Sequence, residues 1–132
     1  GAMAAAVADT DEDPLSGREL AELCHGKYSK FHDMAIKQVT VGQRFVALNI
    51  YVGSLGQRSF PYTREEYLEK LDCVAMILNS WGCAEYVRDF FREPPIPRRG
   101  LPAYPRVDTA VSLRLNKAPN WDPELVSTYF SY

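Results

Sequence analysis

The stretch from Tyr62 to Gly82 constrains this chain more than any other. Thr63 and Glu66 have the spacing of a capping box, in which each side chain takes a free backbone N–H at a helix start. Tyr62 and Tyr67 stand at the staple positions around it, and Glu65 and Glu66 complement the positive end of the helix dipole. Tyr67, Leu71, Val74, Leu78 and Trp81 then recur at intervals of four and three. Leu68, Ala75 and Ile77 widen that stripe. Gly82 follows as a C-terminal stop, so the pattern predicts a helix that ends at about Trp81.

Met34 to Val52 reads as a β-hairpin that turns at Gly42-Gln43, because β-branched and aromatic residues dominate both arms. In the second arm Val46, Leu48, Ile50 and Val52 share the face predicted to be core. Phe45, Ala47, Asn49 and Tyr51 share the other. The first arm changes phase between Ile36 and Val39, which predicts a bulge near Lys37-Gln38. Upstream, Ser16 and Glu19 form a second capping box with Leu15 and Leu20 as staple. A helix from about Gly17 to Lys27 follows from it. Downstream, Ala84 to Arg92 reads as a helix with Val87, Phe90 and Phe91 as apolar positions, stopped by Pro94-Pro95. Residues 93–109 hold five of the nine prolines and form an irregular connection. Ala110 to Asn116 alternates with Val111, Leu113 and Leu115 inward, as a half-buried strand does. The order is α-β-β-α-α-β, without a parallel βαβ unit. It predicts an α+β fold: a small, mostly antiparallel sheet with the helices packed on one face.

The chain has 132 residues, 46% of them hydrophobic and 24% charged, which fits one globular domain. We read residues 1–14 as a disordered acidic tail whose Gly1-Ala2-Met3 is a cloning remnant. Residues 15–116 form the domain. Residues 117–132, with Trp121, Leu125, Val126, Tyr129 and Phe130, are too apolar for a free tail and are expected to dock on the domain or on a partner. The formal charge of −2 hides a division: residues 1–13 carry −4 and the remaining 119 carry +2. So small an excess argues against nucleic acid as the partner. No apolar run approaches the roughly 18–20 residues of a membrane-spanning helix.

Little catalytic chemistry is spelled out. Neither a G-x-G-x-x-G nor a G-x-x-x-x-G-K-[ST] pattern occurs. His25 and His32 are too far apart for joint ligation, so neither metal nor cofactor is expected. Cys24, His25 and Asp33 supply the residue types of a nucleophilic site, but adjacent Cys and His on a helix point apart. No catalytic residue is assigned, and an enzyme is not expected. Three cysteines without a C-x-x-C make no disulfide framework and fit a reducing compartment. Cys24, beside His25 near a helix end, is the first candidate for a redox thiol. Arg98, Arg99, Tyr104 and Arg106 in the proline-rich loop, together with Trp121, are the candidate partner-binding residues. These features favour a non-enzymatic module that binds a protein. The alternatives are a thiol-based redox regulator, or a binder of small molecules or RNA that uses Phe45 and Tyr51 on the sheet.

The hairpin, the segment F-P-Y-T-R-E-E-Y-L-E-K-L-D-C-V-A-M-I-L-N-S-W-G and the strand A-V-S-L-R-L together resemble one family. It is the cyanobacterial and plastid domain of unknown function family 3067. Glu66 to Ala75 is similar to that family's EYL-x-x-LD-x-VA helix, and the resemblance covers roughly residues 16–116. It implies a nuclear-encoded plastid protein with a cleaved transit peptide, stromal or peripherally associated with thylakoids. An accessory or assembly role for photosynthetic complexes is the matching expectation. The chain departs from shorter cyanobacterial members in its longer Pro/Arg loop and in the tail after Asn116, where a plant-specific partner is expected to act.

Overall fold

The computed structural model describes residues 12–97 and 101–127. Helix α1 (Gly17–Tyr28) leads into the hairpin of β1 (His32–Val41) and β2 (Gln43–Ser54). Helices α2 (Arg64–Ser80) and α3 (Ala84–Arg92) follow, then β3 (Val111–Arg114), a 3-10 turn (Leu115–Lys117) and the short α4 (Pro123–Val126). The sheet is antiparallel throughout, in the order β1-β2-β3. This is the expected α+β arrangement.

Val46, Leu48 and Ile50 are buried together with Leu20, Leu71, Leu78 and Trp81 from the helices. The face of β2 read as core is therefore the one the helices cover. Ala47, on the opposite face, is also buried. It is small enough to be hidden between its register neighbours Lys37 and Arg114. Gly42 makes the hairpin turn at φ 74, a conformation that glycine adopts without a side-chain clash.

Two expectations need correction. The hairpin register is regular from Met34 to Val41, and the shift falls between His32 and Met34 rather than at Lys37-Gln38. Asp33 is the displaced residue; its Oδ1 accepts from the Met34 N–H at 2.9 Å and its carboxylate binds Lys70 Nζ at 2.8 and 3.0 Å. The change of phase at Val39 has a simpler origin, because Val39 pairs with Phe45 on the face that the helices leave uncovered. The second correction concerns α1. Ser16 does accept from the Glu19 N–H at 3.0 Å, but the Glu19 carboxylate is turned towards Arg88. Asp72 of α2 takes over at that end, accepting from the Gly17 N–H at 2.7 Å.

That exchange fixes how α1 meets α2. A Cβ on Gly17 would collide with the Asp72 backbone nitrogen and would lie 2.7 Å from the Leu68 carbonyl oxygen. Asn79 adds a reciprocal pair, accepting from the Leu15 N–H at 2.7 Å and donating to the Leu15 carbonyl at 2.8 Å. In α2 the capping box of Thr63 and Glu66 is complete in both directions. The tail residues 117–127 lie against the domain: Trp121 meets Trp81 edge-to-face at 5.7 Å, and Val126 is wholly buried.

Candidate functional site

Helix α3 has two working faces. Ala84, Val87, Arg88 and Phe91 point into the protein. Arg88 is an arginine with every donor engaged. Its Nε and Nη2 bind Glu19 at 2.7 and 2.8 Å, and Nη1 binds Glu85 at 2.7 Å. The Asp13 and Pro14 carbonyls accept from it at 2.9 and 3.3 Å. This ties α1, α3 and the chain before α1 together. The Arg88 hydrogen bond holds the Glu19 carboxyl below the usual carboxylate range.

The other face of α3 carries Tyr86, Asp89 and Phe90 at helical spacing, with Glu93 just beyond the helix end. Opposite it run Ser112, Leu113 and Arg114 of the edge strand β3. Between these banks lies a groove of about 890 Å³, also lined by Phe45, Leu101 and Lys117. Its two ends differ. At one, Tyr86 reaches across and donates to the Arg114 carbonyl at 2.8 Å, and the Arg114 guanidinium lies 4.1 Å from the centre of the Phe45 ring. At the other, Phe90, Glu93, Leu101 and Ser112 also border a small space under the proline loop. Arg114 and Lys117 have no acidic partner among the described residues.

The loop continues this surface outward. Among the described residues the exposed large apolar side chains are Met76 on α2 and four on the loop: Ile96, Leu101, Tyr104 and Val107. Val107 is 92% exposed. Monomers seldom leave such a cluster to water unless something covers it.

The residues singled out from sequence fare unequally. Arg98 and Arg99 lie outside the described residues. Tyr104 is exposed and sets its ring edge-to-face on Tyr28 at 5.9 Å. Arg106 is exposed and closes a small turn with Thr109 through two backbone hydrogen bonds. Trp121 is half-buried and committed to Trp81. Cys24 is fully buried, its thiol 3.4 Å from the Lys30 carbonyl, and burial pushes that thiol up to about 12. A redox-sensing thiol needs an exposed sulfur that ionises easily, and Cys24 has the opposite surroundings. Cys83 is likewise buried and pushed up to about 12, whereas Cys73 is exposed on α2.

The histidines stand apart. His25 is exposed and stacks on Phe31 at 4.6 Å. His32 is buried, with Nδ1 3.2 Å from the Val52 carbonyl oxygen. Burial holds its pKa below the usual histidine value. Among the described residues no three His, Cys, Asp or Glu side chains converge to hold a metal ion. No helix among them is long and apolar enough to cross a membrane.

The groove itself was missed from sequence. Phe90 reads as a core position, and only the second stripe at 86, 89 and 90 distinguishes a helix with two occupied faces. Nothing local announces that β3 will lie beside it, since residues 93–110 intervene.

The chain belongs to the family described as a domain of unknown function, DUF3067, whose model matches residues 18–122. The solution NMR structure of the Alr2454 protein from Nostoc sp. strain PCC 7120 is 31% identical to it, with a TM-score of 0.65. That match covers 76% of this chain and 88% of the Nostoc chain. No curated protein matches.

The residues that carry the family likeness can now be given their roles. Glu66 completes the α2 cap, and the Tyr67 hydroxyl donates to the His32 carbonyl at 2.8 Å. Leu71, Val74 and Ala75 are core, and Asp72 caps α1. These side chains of the signature helix are engaged in the fold.

Proposed function

We propose that this protein is a non-enzymatic interaction module that binds a protein partner through the proline-rich loop and the groove beneath it. The observation that carries this reading is the gathering of Ile96, Leu101, Tyr104 and Val107 on one loop while nearly every other large apolar side chain described is covered. An accessory or assembly role for photosynthetic complexes in a plastid is the biological setting we attach to it. The likeness to a cyanobacterial protein supports that setting.

Affinity purification under mild conditions tests the binding claim. The tagged chain is expected to retain a stable protein partner, and Leu101→Ser with Val107→Ser is expected to lose it while remaining folded. Absence of any stable partner, or equal recovery by the double variant, would count against the reading. A fluorescent fusion of the full-length precursor tests the plastid setting; a signal outside plastids would refute it.

A further inference from the structure

The groove's shape and charge say more about the partner than that it is a protein. One bank is the edge strand β3 and the other a helix stripe. At one end a single tyrosine side chain, Tyr86, spans from bank to bank. An α-helix with its side chains is about 10–12 Å across and does not fit where one side chain bridges the walls. An extended strand needs only about 4.8 Å beside its neighbour. The Arg114 carbonyl accepts from the Tyr86 side chain, and β3 is the last strand of the three-stranded sheet.

Phe90 on one bank and Leu113 on the other give the groove an apolar lining, with Phe45 at the Tyr86 end; Lys27 Nζ lies 3.8 Å from the centre of the Phe90 ring. Arg114 and Lys117 place two positive charges at that end. Asp89 and Glu93 stand along the opposite bank. Asp89 already lies 3.8 Å from Arg92, so the demand for an outside counter-charge falls on the basic end.

We infer that the groove takes an extended peptide segment of a protein partner, with apolar side chains resting on Phe90 and Leu113 and a carboxylate meeting Arg114 and Lys117. Strand-edge recognition supplies the model: alternate side chains enter the groove, and charged ends fix the direction. This inference rests on the interaction reading above and narrows its partner.

The test begins with a phage-displayed library of random dodecapeptides selected on the intact chain. Winners are expected to share an acidic residue next to alternating apolar ones. Bound to the isotope-labelled protein, they are expected to shift the amides of Phe90, Leu113 and Arg114. Arg114→Glu with Lys117→Glu should weaken the synthetic winner about tenfold, a charge pair's worth. Both side chains are exposed, so an unchanged melting temperature is expected to accompany that loss. Replacing the peptide's acid by lysine should restore binding to the charge-reversed protein, which a folding defect cannot imitate.

Winners without an acid, or amide shifts confined to the Cys73–Met76 side of α2, would overturn the inference. So would displacement of a winner by oligouridine with stronger binding of the oligonucleotide, which would make the groove a single-stranded nucleic-acid site. If the natural partner is still lost with Leu101→Ser and Val107→Ser but kept with the charge reversal, the interaction reading stands and only this peptide assignment fails.

Discussion

The junction of α1 with α2 and α3 and the α3–β3 groove are built on opposite terms. At the junction every polar group named above has a partner: Gly17 with Asp72, Leu15 with Asn79, Arg88 with two carboxylates and two carbonyls. At the groove Arg114 and Lys117 lack acidic partners among the described residues, and the Phe45 and Phe90 rings are only half-buried, each with a cation over it. The lesson concerns where a family signature sits. The residues that make this family recognisable lie at the junction and are consumed in folding. The surface proposed for recognition lies elsewhere, in the Pro/Arg loop and the groove beside it.

The sharpest way to break this contrast is to damage the junction. Leu71→Ala should cost roughly 2–5 kcal/mol of stability in urea unfolding, the range for a fully buried leucine. Arg88→Ala should cost roughly 2–4 kcal/mol. That is less than a wholly buried pair, because Glu19 keeps 33% of its side chain exposed. The pair also gives the pH dependence a sign. Glu19 titrates lower in the folded chain than unfolded, so its contribution is full above the unfolded carboxylate value. It is lost as pH falls through the folded value. The melting temperature should drop on acidification, and Arg88→Ala should flatten that drop; an unchanged slope would show that the pair carries none of it.

Gly17→Ala should cost roughly 1–3 kcal/mol, since the collision is with the backbone of α2 as well as with the Asp72 carboxylate, and the backbone cannot swing aside. Thiol titration separates the cysteines by burial. Cys73 should react in the native protein, and Cys24 and Cys83 only after denaturation. Rapid native labelling of Cys24 would revive it as a redox thiol. The smallest effect is expected at Tyr28→Phe. Its hydroxyl is buried without a hydrogen-bond partner among the described residues, so removal should be neutral or slightly stabilising. Loop substitutions such as Val107→Ser should change stability by no more than about 0.5 kcal/mol.

Most of the junction and sheet was legible in the sequence because its causes are local. The Thr63–Glu66 box, the four-and-three stripe of α2 and the alternation of β2 each act within a few residues. What was not legible depends on distant partners. Glu19 abandons its capping role because Arg88, 69 residues away, is a stronger partner than a backbone N–H. Asp72 is exposed on α2, and only the approach of α1 gives its carboxylate the Gly17 N–H to accept from. Arg88 carries no local signal of burial, yet its side chain is only 6% exposed. The groove needs α3 and β3 side by side, a consequence of where the irregular loop returns the chain. Its edge strand is also shorter than the alternation suggests, since Leu115 leaves the strand for the 3-10 turn and remains buried.

The central claim is that partners meet the loop and groove while the signature helix serves as scaffold. Photo-crosslinking from two faces tests it most directly. A benzophenone side chain is placed at Val107 in one variant and at Met76, the exposed apolar residue on the outer face of α2, in another. Both are irradiated in an extract of the cells the chain comes from. The account predicts a discrete protein adduct from position 107 and none from position 76. Adducts from position 76 alone, or equal adducts from both, would contradict it.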